Sequence, residues 1–185
     1  MSQNIWFTSD FHFGHANVIK FCNRPYSSVE EMNEGLIENY NSLVKPGDLC
    51  YILGDAFWRS LAPEQAVGIA ARLNGQKYYI NGNHEERMQN KDMHRFFIWR
   101  KDLAKIHPNG YPHIILCHYA MRVWEGSHRN DWHLYGHSHN GLSCSVQGTS
   151  KEESAFSMDV GVDTHNMFPW SIDEIKEQMR NKGWR

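Results

Sequence analysis

The sequence predicts an α/β fold, a β-sandwich flanked by helices. Short apolar runs that read as buried strands recur along the chain. They alternate with amphipathic helical stretches in the first half and follow one another closely, as hairpins do, in the second. A length of 185 residues suits one domain spanning 1–185, which can bury most of its apolar surface. No internal repeat, low-complexity tract or domain linker divides it.

Each element has its own signal. Residues 4–9 read as the first strand, followed by a loop carrying Gly14 and His15. In 28–43 the apolar positions Val29, Met32, Leu36, Ile37 and Tyr40 form one helical stripe, with Ser27 or Ser28 as cap and Glu30 and Glu31 in the first turn. Lys45-Pro46-Gly47-Asp48 is a turn before the second strand, 49–53. A second amphipathic helix occupies 63–73, with Pro63 in its first turn and Asn74-Gly75 ending it. Strand three is 77–81, and a shorter helix follows over 86–94. Segments 96–99 and 103–106 give one or two more strands, and Asn109-Gly110 is a hairpin-type turn into 113–118. The last strands are 132–136 and 157–161. Ser171 then caps a C-terminal helix, with Glu174 in the capping-box position.

Composition narrows the function classes. With 41% hydrophobic and 22% charged residues and a net charge of −2, the chain has no basic excess for strong autonomous nucleic-acid binding. No apolar run is long enough to span a bilayer, and Met1-Ser2-Gln3-Asn4 does not open a secretory signal. Of the four cysteines, Cys22, Cys50, Cys117 and Cys144, none forms a C-x-x-C pair, and Cys50 and Cys117 lie in strand-like runs as expected buried thiols. This usage fits a reducing, cytoplasmic setting.

The informative feature is five polar clusters, each at the end of an apolar run. They are Asp10-Phe11-His12, Gly54-Asp55, Gly82-Asn83-His84-Glu85, His118 and Gly136-His137-Ser138-His139. Asp, Asn and His ligate divalent metals or move protons. In layered α/β folds the carboxyl ends of strands converge on one rim, where ligands bind. Hydrolysis of a phosphate ester needs charge neutralisation, an activated water and a stabilised leaving oxygen, and two divalent ions about 3.5–4 Å apart supply all three. Asp10 and His12 alternate at a strand end and suit one ion. Asp55, after Gly54, suits a bridge. Asn83 offers a neutral oxygen. His137 and His139 alternate and suit either different metals or opposite sides of one site.

Taken in order from Asp10 to His139, D-x-H, G-D, G-N-H-E, H and G-H-x-H resemble the calcineurin-like metallophosphoesterase superfamily. The resemblance implies a four-layered α/β/β/α sandwich. It implies Asp10, His12 and His139 on one metal, Asn83, His118 and His137 on the other, and Asp55 bridging both. It further implies in-line attack by a hydroxide held between the metals, with His84 binding phosphate and protonating the leaving group. The family's metals are manganese, foremost here, iron, zinc, nickel or cobalt. Small members with a compact G-N-H-E site are often phosphodiesterases, so a small or nucleotide-type phosphodiester is the expected substrate. A phosphomonoesterase, a nuclease subunit and a catalytically silent metal-binding scaffold are the alternatives. The presence of His84 and all seven expected ligands disfavours the scaffold. Composition and motifs leave the oligomeric state open.

One departure stands out. Where the protein-phosphatase branch continues G-D-x-x-D-R-G, this chain reads Gly54-Asp55-Ala56-Phe57-Trp58-Arg59. Trp58 replaces the carboxylate that supports the catalytic histidine, while Arg59 is retained for bidentate phosphate contact. Glu85 is then a candidate partner for His84. His15 either lines the site or makes a loop hydrogen bond. Asn17 and Arg24 read as surface residues, as do Arg122 and Arg129 in a solvated loop, and 149–154 reads as an exposed turn. Trp58, Trp124 and Trp132 either wall a pocket or belong to the core, and Asp159 and Asp163 read as support for the sheet end or the ligands.

Overall fold

The computed structural model describes residues 3–142 and 156–185; Cys144 and the 149–154 turn lie outside them. Among the described residues, nine strands form two sheets. β1 (Ile5–Thr8), β2 (Leu49–Ile52), β3 (Gln76–Ile80), β4 (Phe97–Lys101) and β9 (Trp170–Ser171) make one, in the order β4-β3-β2-β1-β9. β5 (Leu103–Ile106), β6 (Ile114–Cys117), β7 (Trp132–Tyr135) and β8 (Ser157–Asp159) make the other, in that order. β1 to β4 are parallel, with Ile5 opposite Leu49 and Leu49 opposite Gln76, and β9 runs antiparallel to β1.

The helices follow the sequence signals closely. α2 (Val29–Leu43) starts at Ser28, whose side chain accepts from the Glu31 N–H at 3.1 Å, and it buries Met32, Leu36, Ile37 and Tyr40. α3 (Pro63–Arg72) opens on Pro63, whose missing N–H is no loss in a first turn, and buries Ala66, Ile69 and Ala70. Both pack with Cys50, Ile52, Tyr79 and Phe97 on the outer face of the first sheet. The other face, through Phe7, Tyr51 and Leu53, meets Ile114, Leu116, Trp132 and Leu134 of the second sheet. α4 (Ile172–Asn181), capped reciprocally by Ser171 and Glu174, adds Ile175 and Met179 to that inter-sheet core. The result is the expected mixed α/β sandwich of two sheets and helices.

Several local expectations are corrected. The 14–27 stretch holds a short helix, α1 (Ala16–Phe21), that buries only Val18. Residues 86–94 form two 3-10 segments, Arg87–Gln89 and Lys91–Phe96, because Asn90 caps a new turn by accepting from the Asp92 N–H. In the second half only β5 and β6 pair antiparallel; β6, β7 and β8 are mutually parallel. Cys117 is partly exposed rather than buried.

The parallel arrangement positions the site. β1, β2, β3, β6 and β7 all end on one rim, and the five polar clusters leave from those ends. The rims of the two sheets are joined there by a parallel bridge between Ser9 and Gly161, with the Val162 N–H on the Ser9 carbonyl at 3.1 Å.

Candidate metal centre

The rim gathers two donor groups. Asp10, His12 and His139 present ligand atoms within 4.8 Å of one another, and so do Asp55, His118 and His137. Asp55 links the two. Its Oδ1 accepts the His84 backbone N–H at 2.9 Å, while its Oδ2 lies 3.8 Å from His12 Nε2 and 3.6 Å from His118 Nε2. Asp10 divides its oxygens likewise. Oδ2 accepts the His137 N–H at 2.9 Å; Oδ1, 3.8 Å from His12 Nε2 and 3.9 Å from His139 Nε2, is buried with no hydrogen-bond partner.

Hydrogen bonding fixes the protons. His118 Nδ1 is 2.6 Å from the Leu53 carbonyl, which can only accept, so Nδ1 carries a proton and Nε2 is the nitrogen turned toward the centre. That nitrogen faces two acceptors, Asn83 Oδ1 at 3.1 Å and Asp55 Oδ2 at 3.6 Å. Acceptors converging in a buried place repel one another, and a divalent cation among them reverses the sign. Burial, together with the charges of His139 and Arg24, pushes His12 down to about 2, so it is the neutral imidazole that ligates metals. Burial raises the Asp10 carboxyl to about 6. His139 goes the other way: burial opposes its protonation, but hydrogen bonds to Asp163 and Cys22 and the Asp10 charge outweigh that and lift it to about 10. The potential at His139 thus favours positive charge. The orphaned Asp10 oxygen and the N/O donor set fit two divalent cations.

The backbone is shaped for this convergence. Asp10, His12, Asp55, His137 and His139 all have left-handed φ values, between 45° and 67°. Such conformations cost about 1–2 kcal/mol per residue, less for Asp and His, and collect at functional sites. Gly54, at φ +94°, is required for a second reason: a Cβ there would sit 2.6 Å from His118 Nδ1.

Around the donors lies a supporting layer. Arg24 is buried, not a surface residue. Its guanidinium binds both Asp163 oxygens at 2.8 Å and the carbonyls of Phe11 and Asp10 at 2.8 and 2.7 Å. Asp163 in turn holds His139 Nδ1 at 2.6 Å, which turns Nε2 toward Asp10. Asp159 accepts from the Gly161 and Asn140 N–H groups at 2.8 and 3.1 Å. Glu85 is not a partner of His84: its Oε1 gathers the N–H groups of Gly82 and Asp55 at 2.7 and 3.2 Å and the Tyr79 hydroxyl at 3.1 Å. It fixes the two ligand loops against each other.

His84, half-buried, packs 5.8 Å from the His12 ring and 4.4 Å from Trp58. Arg59 is exposed, with its guanidinium 5.5 Å from the Trp58 ring centre. His15 stacks on Trp58. Asn17, Arg122 and Arg129 are exposed, whereas Trp124 and Trp132 belong to the buried core. Tyr119, not anticipated from the sequence, lies 46% exposed with its ring 5.0 Å from His118 and 4.9 Å from His137. Its one signal was adjacency to His118.

A sandwich with such a rim defines a class, and the comparisons agree with it. The family model for calcineurin-like phosphoesterases matches residues 3–141, and the chain belongs to that family. It is 33% identical over 178 residues to an uncharacterized protein of Methanocaldococcus jannaschii, MJ1445, covering 94% of this chain and 89% of that one. It is 25% identical to the Gene 66 protein of Mycobacterium phage D29, over 97% of both chains. Among solved structures, a protein of unknown function from Aquifex aeolicus, AQ665, superposes with a TM-score of 0.73 at 23% identity, over 96% of this chain and all of the other, and so shares the fold. Family membership implies metal-dependent hydrolysis of phosphoesters.

Proposed function

We propose that this chain, acting as a single domain, is a dinuclear phosphodiesterase for a small or nucleotide-type substrate, with manganese as its working metal. The observation that carries the reading is Asp55, one oxygen tied to the His84 N–H and the other shared between His12 and His118. Asp10, His12 and His139 would hold one cation, and Asn83, His118 and His137 the other. Bound divalent cations supply charge neutralisation at phosphorus and activation of a water as nucleophile.

The chain's own groups do the rest. Asp55 fixes the His84 backbone, so that its imidazole stands beside the His12 ring at the mouth of the centre. As the bond from phosphorus to the leaving oxygen breaks, His84 gives that oxygen a proton and later regains one from water. Arg59, at the same mouth, offers a forked cation to a non-bridging phosphate oxygen. The centre meets solvent through Asn83 and His137, both exposed, which suits a small ester. The free thiols of Cys22, Cys50 and Cys117 suit the cytoplasm. No helix among the described residues is long and apolar enough to cross a membrane.

The test is hydrolysis by chelated and Mn²⁺-reloaded protein of bis(p-nitrophenyl) phosphate, p-nitrophenyl phosphate, cyclic nucleotides and short oligonucleotides. Activity should vanish on chelation, return with Mn²⁺ and favour a diester. Preference for the monoester would reassign the substrate class, and indifference to chelation would remove the metal mechanism.

A further inference from the structure

The His84 ring makes no hydrogen bond or ion pair among the described residues, although a leaving-group acid must be aimed. Its main chain is pinned by Asp55, yet two side-chain torsions remain. What closes on the imidazole is the Trp58 indole, with ring centres 4.4 Å apart and planes at 58°.

The main chain of Trp58 is held, and rings flank its indole. Its backbone N–H donates to the Phe13 carbonyl at 2.9 Å, its carbonyl accepts from the Leu61 N–H at 3.1 Å, and the neighbouring Phe57 bridges to Phe13. His15 lies parallel to the indole, with ring centres 3.7 Å apart and planes at 12°. The Arg59 guanidinium sits 5.5 Å from the ring centre, and the metal-side His12 meets the indole edge-on at 5.7 Å. One indole therefore touches a candidate ligand, the candidate acid and the candidate phosphate-binding arginine.

We propose that Trp58 is a positioning residue, its indole confining the His84 imidazole over the metal centre where a carboxylate would otherwise orient it. The proposal rests on the reading of His84 as leaving-group acid. A carboxylate orients an imidazole by binding one ring nitrogen and thereby fixes the tautomer. An indole wall orients by shape and leaves both nitrogens free, one for the phosphate and one for the leaving oxygen.

Two measurements test this. The first follows kcat and KM of Mn²⁺-loaded protein on aryl methyl phosphodiesters with progressively poorer phenolate leaving groups. Freezing one side chain is worth about two- to tenfold in rate. Trp58→Ala should lose about that much in kcat on the poorest leaving groups and little on p-nitrophenolate, with KM steady. Trp58→Phe should retain most of the rate. Because Trp58 acts through His84, the Trp58→Ala/His84→Ala double variant should be no slower than His84→Ala alone. The second needs no activity: in the NMR spectrum of the metal-free protein, the carbon-bound imidazole protons of His84 should carry a ring-current displacement that Trp58→Ala removes and Trp58→Phe keeps in part.

A loss independent of the leaving group, a loss that multiplies with that of His84→Ala, or absence of the ring-current displacement overturns the proposal while leaving the phosphoesterase reading intact. Wild-type protein inactive on the whole series, with both metals bound, overturns that reading and the acid-positioning role with it.

Discussion

Asp55 and Asp10 each give one carboxylate oxygen to a backbone N–H and turn the other toward imidazole nitrogens. A carboxylate tied this way cannot rotate away from a cation, and in the proposed centre the Asp55 charge would serve both halves. Replacing Asp55 by Asn keeps the volume and the N–H contact but removes that charge. Bound manganese, measured by elemental analysis after desalting, should fall well below two ions per chain; two retained ions would exclude the bridge. Asp163 acts one step back, holding His139 Nδ1 while Arg24 holds Asp163. Such outer partners are typically worth about 10–100-fold in metal affinity. Asp163→Asn should weaken Mn²⁺ binding by that factor in a calorimetric titration, with Asp55 untouched. The convergence of the inner set was legible because Asp, Asn and His at strand ends carry their chemistry in their type. Arg24 was not, because its role comes from Asp163, 139 positions away, and Glu85 was not, because adjacency to His84 says nothing of where its side chain turns.

Elements differ in how locally they are specified. α2 and α4 have serine caps, α3 opens on Pro63, and each carries its own apolar stripe, so they stand where those local signals put them. α1 is six residues long with one buried side chain, too short to show a period, and β9 is a two-residue strand made by its pairing with β1. The parallel pairing of β6 with β7 escaped for another reason. The connection 118–131 has only one 3-10 turn, Ser127–Arg129, so nothing local separates a crossover from a hairpin. α4 offers a clean test of the local signals. Ser171→Ala removes the side chain that accepts the Glu174 N–H at 3.2 Å and donates to its carboxylate at 2.6 Å. Loss of such a cap costs about 1 kcal/mol. The melting temperature should drop by about 2–4 °C for a chain of this size. Phosphodiester hydrolysis at 25 °C should be unchanged, since α4 carries no candidate ligand and packs on β9 and β1. A fall in activity would tie α4 to the rim.

The whole fold concentrates unfavourable terms at one rim. Five candidate ligands hold left-handed backbones, Asp10 Oδ1 is buried without a partner, and Asn83 Oδ1 and Asp55 Oδ2 converge on His118 Nε2. The two cores on either face of the first sheet hold the strands whose ends form that rim, where the Ser9–Gly161 bridge, the His137 N–H on Asp10 and the His118 ring on the Leu53 carbonyl tie the sheets together. A cation at the candidate centre would relieve the electrostatic part of the strain and would bind only when the strand ends are assembled. Its binding energy is therefore folding energy, as for any ligand of the native state alone. At a free concentration of 100 times Kd it is worth about 2.7 kcal/mol per site. At about 2–4 °C per kcal/mol for 150–250 residues, one occupied site should raise the melting temperature by roughly 5–10 °C, and a second should add to it. Differential scanning calorimetry across a Mn²⁺ series should show this rise climbing with the logarithm of free metal. Asp55→Asn should flatten it, while Ser171→Ala should shift the whole curve down without changing its slope. A melting temperature that ignores Mn²⁺ in the unaltered protein would mean that the converging acceptors are stabilised by something other than metal, and the dinuclear centre would have to be abandoned.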